Sequence, residues 1–238
     1  MKTLRSTLSV ALLAALLPLA APAAEPAASP IESLVKQLPA SESPIHLFNG
    51  KDLAGWDGAK GIWSVDGDAI KGANSNAVPT STYLFTKDSY RNFRLLLEVK
   101  QTLSPQHSTM HSAVAALGER FTDKGDNAHG FRGPLLMFCH DWGIWDAYRR
   151  NRVAPVGPGP KVEKKGDWNL VEILIVGNRV RFAANGVLVF DFTDKPEMLK
   201  ESPLGLQIHS NAKPQEFRFR GLVLTKNPED KLVTVMAR

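Results

Sequence analysis

Apolar residues recur at every second position through much of this 238-residue chain, and that period constrains the fold more than any other feature. Phe93, Leu95, Leu97 and Val99 alternate with Arg94, Glu98 and Lys100, as in a strand with one face buried. Val180 and Phe182 alternate with Arg179 and Arg181, and Asn185-Gly186 then predicts a type I′ hairpin turn into Val187 to Phe192. Phe217, Phe219 and Val223 repeat the pattern against Glu216, Arg218 and Arg220. Leu170 to Val176 is continuously apolar apart from Glu172. Leu135 to Cys139 is apolar on both faces, which predicts a central strand covered on both sides. No window has strong helical periodicity, and there is no internal repeat. The expectation is an all-β sandwich with short turns.

The two ends read differently. Lys2 and Arg5 precede an apolar run from about Leu8 to Ala20, and Ala21-Pro22-Ala23 offers a cleavage site, the pattern of an export signal. The run is too short for a stable bilayer span. We therefore expect a signal peptide over 1–23, no transmembrane anchor, and a periplasmic or secreted protein. The Ala-, Pro- and Ser-rich stretch 24–43, with a short helical patch at Ile31 to Leu38, predicts a linker. The domain is expected over 44–226, and 227–238 as a short strand or loose tail. Cys139, the single cysteine, cannot form an internal disulfide, and its apolar setting predicts a buried, inert thiol. A net charge of +5, from 29 basic and 24 acidic residues, is mild and scattered; it argues against a nucleic-acid partner.

The densest chemistry lies between His140 and Asn151, where Asp141, Trp142, Trp145, Asp146, Tyr148, Arg149 and Arg150 crowd together. Aromatic faces stack on sugar rings, and carboxylates and guanidinium groups bind sugar hydroxyls. A small-molecule or oligosaccharide substrate is the expectation. Two plainer readings stand beside it: Trp142 and Trp145 plug the end of the sandwich, and Arg149, Arg150 and Arg152 form a solvated loop. Further on, Gln207 and His209 are two apart on one strand, so both face one side while Leu206 and Ile208 face the core.

A set of short elements gives the chain a family likeness. In order they are Leu47-Phe48-Asn49-Gly50-Lys51-Asp52-Leu53-Ala54-Gly55-Trp56, Trp63-Ser64-Val65-Asp66-Gly67, Tyr83-Leu84-Phe85-Thr86, Tyr90-Arg91-Asn92-Phe93, Gly166-Asp167-Trp168-Asn169, Asn185-Gly186, Leu206-Gln207-Ile208-His209 and Phe219-Arg220-Gly221-Leu222. Over roughly Ile45 to Leu224 the chain resembles the 3-keto-disaccharide hydrolase family. The resemblance implies a concanavalin A-like jelly roll of two antiparallel sheets and action on glycosides already oxidised at carbon 3. Such a ketone acidifies the carbon-2 proton, so a modest base suffices for elimination across carbons 1 and 2. The opposed carboxylates of an ordinary glycosidase are not required.

On this reading His209, in the family's Leu-Gln-x-His element, is the general base or a metal ligand, assisted by Asp141 and His140. Gln207, Trp142, Arg132, Asp146, Arg149 and His111 are the expected sugar contacts. His140, Asp141 and His209 together could hold a divalent metal at the ketone. The chain departs from the family where a Gly-x-Glu-x-Gln-x-x-Asp strand is usual: it reads Gly133-Pro134-Leu135-Leu136-Met137-Phe138-Cys139-His140. His111-Ser112-Ala113 likewise stands where the family has Asn-Ser-Gly. These departures leave two readings, an enzyme using His111, His140 and Asp141 instead, or a non-catalytic, lectin-like carbohydrate-binding module.

Overall fold

The computed structural model describes residues 29–195 and 199–235, so the expected signal peptide lies outside the described residues. In chain order the strands are β1 (Ile45–His46), β2 (Trp56–Asp57), β3 (Trp63–Asp66), β4 (Ala69–Asn74), β5 (Thr82–Tyr90), β6 (Phe93–Gln101), β7 (Ser112–Ala115), β8 (Glu119–Asp123), β9 (Asn127–Arg132), β10 (Pro134–Phe138), β11 (Gly143–Asp146), β12 (Asn151–Ala154), β13 (Asn169–Val176), β14 (Arg179–Ala184), β15 (Val187–Thr193), β16 (Ser202–Ile208) and β17 (Gln215–Lys226). One sheet runs β15-β14-β13-β6-β17-β4-β3, with β1 also on β17. The second runs β12-β11-β10-β7-β16-β5-β2, and β8-β9 form a separate hairpin. Neighbours pair antiparallel, for example β6 with β13 and β10 with β7.

The period-two residues form the core between the sheets. Phe93, Leu95, Leu97 and Val99 of β6 and Phe217 and Phe219 of β17 meet Leu136, Phe138, Leu206 and Ile208 of the second sheet, all essentially excluded from water. Burying each such side chain contributes about 1.5–3 kcal/mol. Asn185 (φ 49) and Gly186 (φ 81) turn β14 into β15, with the positive φ at both positions that a type I′ turn requires. β10 lies inside its sheet. One face meets the other sheet, and on the opposite face Leu135 and Met137 pack with Tyr83, Phe85, Ala113, Ala115 and Phe131.

The outer face of the first sheet departs from expectation. Arg94 and Glu98, on the polar phase of β6, are buried: the stretches before β1 and after β17 cover Arg94, and Arg220 donates to Glu98 at 2.8 Å. A short helix, α1 (Ile31–Val35), lays Ile31 on Leu96 and Val223. Arg94 donates to both carboxylate oxygens of Glu42 at 2.9 and 2.7 Å, pairs with Glu172, and donates to the Lys231 carbonyl at 2.8 Å. Glu172 in turn accepts the Val233 and Thr234 N–H groups at 3.0 and 2.8 Å. Burial opposes the ionisation of Glu42, but its bonds with Arg94 and Thr225 outweigh that and hold its carboxyl below the usual range. From Ser29 the stretch read as a linker is therefore part of the packed unit, and residues 227–235 are tied down rather than loose. A buried cation demands carboxylate partners; Glu42 supplies one from the stretch before β1 and Glu172 the other from β13, while the segment after β17 adds carbonyl acceptors.

Candidate functional site

The outer face of the second sheet carries an open cavity of about 750 Å³. Strand register sets which residues share that face, and from two of its rows Trp145, Leu135, Met137, Gln207 and Tyr83 reach the cavity lining. Trp145, Leu135, Ala115, Gly205 and Phe85 are successive partners across β11, β10, β7, β16 and β5. Alongside runs a row containing Gly143, Met137 and Ala113, with Gln207 opposite Tyr83. Beyond it stand His209, just past the end of β16, and His111, just before β7, their ring centroids 4.8 Å apart and nearly perpendicular.

His209 Nδ1 lies 2.7 Å from the Ser210 carbonyl oxygen. A carbonyl only accepts, so Nδ1 carries the hydrogen and the neutral ring keeps its lone pair on Nε2. His111 Nδ1 sits 3.6 Å from Asp141 Oδ2, which is beyond hydrogen-bond length but close enough for charge to be felt. Burial, then the neighbouring His209, outweigh Asp141 and lower the His111 pKa to about 4, so this ring is neutral near neutrality. Asp141 Oδ1 accepts Arg152 Nη2 at 2.5 Å. Gly143 makes room for that pair, because a Cβ there would come 2.5 Å from Arg152 Nη1. Gln207 is buried; its Nε2 donates to the Tyr83 hydroxyl at 2.9 Å, while its Oε1 has no partner among the described residues. An unsatisfied buried acceptor on a cavity wall is suited to a ligand hydroxyl. Burial raises the Tyr83 phenol pKa well above its usual value, so Tyr83 stays protonated.

The turn that delivers Asp141 is unusual. Cys139 (φ 61) and His140 (φ 69) both adopt the left-handed conformation, which non-glycine residues rarely do. Glu163 braces it: its Oε2 accepts the His140 N–H at 2.9 Å and the Trp142 Nε1–H at 2.8 Å. Burial pushes the Cys139 thiol pKa far up, which agrees with an inert side chain.

Of the expected site residues, the structure brings together His209, Gln207, His111, Asp141 and Arg132 on the cavity lining. It does not bring in the others. Trp142 is fully buried in the core, with its ring 5.9 Å edge-on to Phe182. His140 does not line the cavity. Asp146 is buried and accepts the Tyr148 and Arg149 N–H groups, and Arg149 bridges it to Asp194 at 2.9 and 2.5 Å; this cluster stitches a loop to the end of β15. Among the described residues no three His, Cys, Asp or Glu side chains are placed to hold a metal ion. A divalent ion on His140, Asp141 and His209 does not fit this arrangement, and no step below runs through one. No helix among the described residues is long and apolar enough to cross a membrane.

The sequence names Trp145 and Arg152 only as members of clusters and gives Tyr83 no site role, yet all three line the cavity. Period two offered one signal: with Ile144 in the core, its neighbour Trp145 must face the other way.

Two antiparallel sheets packed face to face, one with an open cavity on its outer face, define a concanavalin A-like jelly roll. Solved structures share it. A protein from Parabacteroides distasonis described as a "putative glycosyl hydrolase" is 19% identical, with a TM-score of 0.53 over 82% of this chain and 96% of that one. The carbohydrate recognition domain of Emp47p is 11% identical, with a TM-score of 0.55 over 80% and 97%. A carbohydrate-binding module from Bacillus subtilis is 13% identical, with a TM-score of 0.50 over 72% and 96%. At such identities these likenesses establish the fold alone. No curated protein matches the sequence significantly. The profile of the 3-keto-alpha-glucoside-1,2-lyase-like domain matches residues 43–225, and the chain belongs to that family.

Proposed function

We propose that this chain binds a carbohydrate in the cavity on its second sheet and cleaves glycosides carrying a ketone at carbon 3. The observation that carries the reading is the His209 tautomer. With Nδ1–H held by the Ser210 carbonyl, Nε2 is left as a base on the lining of a sugar-sized cavity. Family membership and the structural neighbours, a protein described as a glycosyl hydrolase and two carbohydrate-binding domains, support the same substrate class.

In the proposed reaction His209 Nε2 removes the carbon-2 proton, and the electron pair shifts towards the ketone oxygen as an enolate. The pair then returns, the carbon-1–oxygen bond breaks, and the aglycone oxygen departs with that bond's electrons. The imidazolium formed in the first step is the proton source for the departing oxygen. Water added across the resulting carbon-1–carbon-2 double bond gives the free 3-keto sugar, so atoms and electrons balance without an oxidant. Arg152, with one N–H on Asp141, has further donors for the enolate oxygen. The unpartnered Gln207 Oε1 accepts a sugar hydroxyl. A neutral His111 does not oppose the positive charge that His209 gains.

A second reading, a lectin-like binding module, is favoured by Leu135 and Met137, which place apolar groups on the cavity floor where the family's strand is polar. The purified chain with a chromogenic 3-keto-glucoside, and with the unoxidised glucoside beside it, separates the two. Release from the keto form alone is expected; saturable sugar binding with no release from either would leave the binding module. We place this activity in the periplasm or outside the cell, which N-terminal sequencing of the mature protein checks by locating cleavage near Ala23.

A further inference from the structure

The cavity has two chemically different ends. The polar end holds the His111–His209 pair and Asp141. At the other, Leu135 pairs with Trp145 across the strands and Met137 with Gly143; Leu135 and Met137 pack with Phe131 in one cluster. The Trp145 indole stays 38% exposed beside them. Around this apolar patch stand Arg132, 4.3 Å over the Phe121 ring, Asp123, which accepts the Lys124 N–H at 2.7 Å, and Arg150 and Arg152 on the cavity lining.

We infer that this apolar end takes the leaving group, and that the leaving group is an aromatic ring rather than a second sugar. The inference rests on the proposed function in one respect, that the polar end holds the oxidised sugar. A second sugar would bring several hydroxyls against Leu135, Met137 and Phe131, which offer no partner for the water those hydroxyls lose. A flat aromatic ring loses no hydrogen bonds there. It gains an offset stack on the Trp145 indole and a sulfur–aromatic contact from Met137. The substrate class is therefore aryl 3-keto-glycosides.

The test is equilibrium binding followed by tryptophan fluorescence, with a phenyl glucoside and a glucosyl-glucose disaccharide of the same anomeric configuration, each in oxidised and unoxidised form. The phenyl compound should bind at least about ten-fold more tightly than the disaccharide, in line with a stack and a sulfur contact acting together. Trp145→Ala, at an exposed position that leaves the core intact, should remove most of that preference; binding to this variant is read by calorimetry. Leu135→Gln should shift preference towards the disaccharide. Equal or reversed affinities, a preference that survives Trp145→Ala, or no binding of either compound would overturn the inference. Aryl-selective binding without aglycone release from the keto form would instead sink the proposed reaction and leave this assignment of the cavity's apolar end standing.

Discussion

Replacing His111 by Asn should flatten part of the chain's acid sensitivity. In the folded protein, burial and then the His209 ring 4.8 Å away lower the His111 pKa to about 4. Asp141, 3.6 Å away, pulls the other way, and Arg152 and His140 add to the lowering. In the unfolded chain the same ring titrates near about 6.5. Between those two values the unfolded state binds a proton that the folded state refuses, so stability rises with pH through that window. The contribution is complete above about 6.5 and is lost progressively as pH falls towards the folded value. At about 1.36 kcal/mol per unit, the depression corresponds to roughly 3 kcal/mol, and to roughly 2 kcal/mol if the two facing rings share their titration.

Urea unfolding in steps from about pH 7.5 down to about pH 4 reads this quantity as a difference between two curves. Carboxylates elsewhere titrate in both proteins and cancel in the difference. The parent should lose roughly 2–3 kcal/mol more than His111→Asn across the window. Curves parallel to within about 0.5 kcal/mol would refute the reasoning. They would mean that the folded protein does not lower the His111 pKa, so the ring would begin to take charge as pH falls through about 6.5.

Three further outcomes follow from the geometry. His209→Asn should lower kcat on a 3-keto-glycoside by about 10²–10⁴-fold, the range for a general base, with little change in sugar binding; full activity would remove the base assignment. Gly143→Ala would place a methyl 2.5 Å from Arg152 Nη1 and 2.9 Å from the Ala154 carbonyl, driving the guanidinium off Asp141. We expect about a ten-fold fall in kcat with the fold retained by circular dichroism, and unchanged turnover would show that the Arg152–Asp141 pair is idle. Arg94→Leu leaves Glu42 and Glu172 buried without their cation, which should cost about 3–5 kcal/mol in urea unfolding. It should also speed amide exchange at Val233 and Thr234, whereas a loss below about 1 kcal/mol would mean that the ends are not clamped there.

What the sequence made legible was whatever a single strand decides by itself. The inward faces of β6 and β17, the Asn185-Gly186 turn, and the shared direction of Gln207 and His209 follow from period two and turn chemistry. What it hid depends on residues brought together from far along the chain. Arg94 looked solvent-facing because nothing on β6 announces that Glu42 and Glu172 will meet it. The choice between Trp142 and Trp145 was hidden for a related reason. Cys139 and His140 both turn left-handed, which breaks the alternation carried forward from β10, so counting by twos from Leu135 cannot say which indole returns to the core. The paired register of β10 and β11 decides it, setting Trp145 opposite Leu135 on the cavity side. The same register explains why β10 reads as pure core. Its apolar residues point both ways, Leu136 and Phe138 into the sandwich and Leu135 and Met137 onto the cavity floor, so a run covered on both sides also supplies part of the cavity lining.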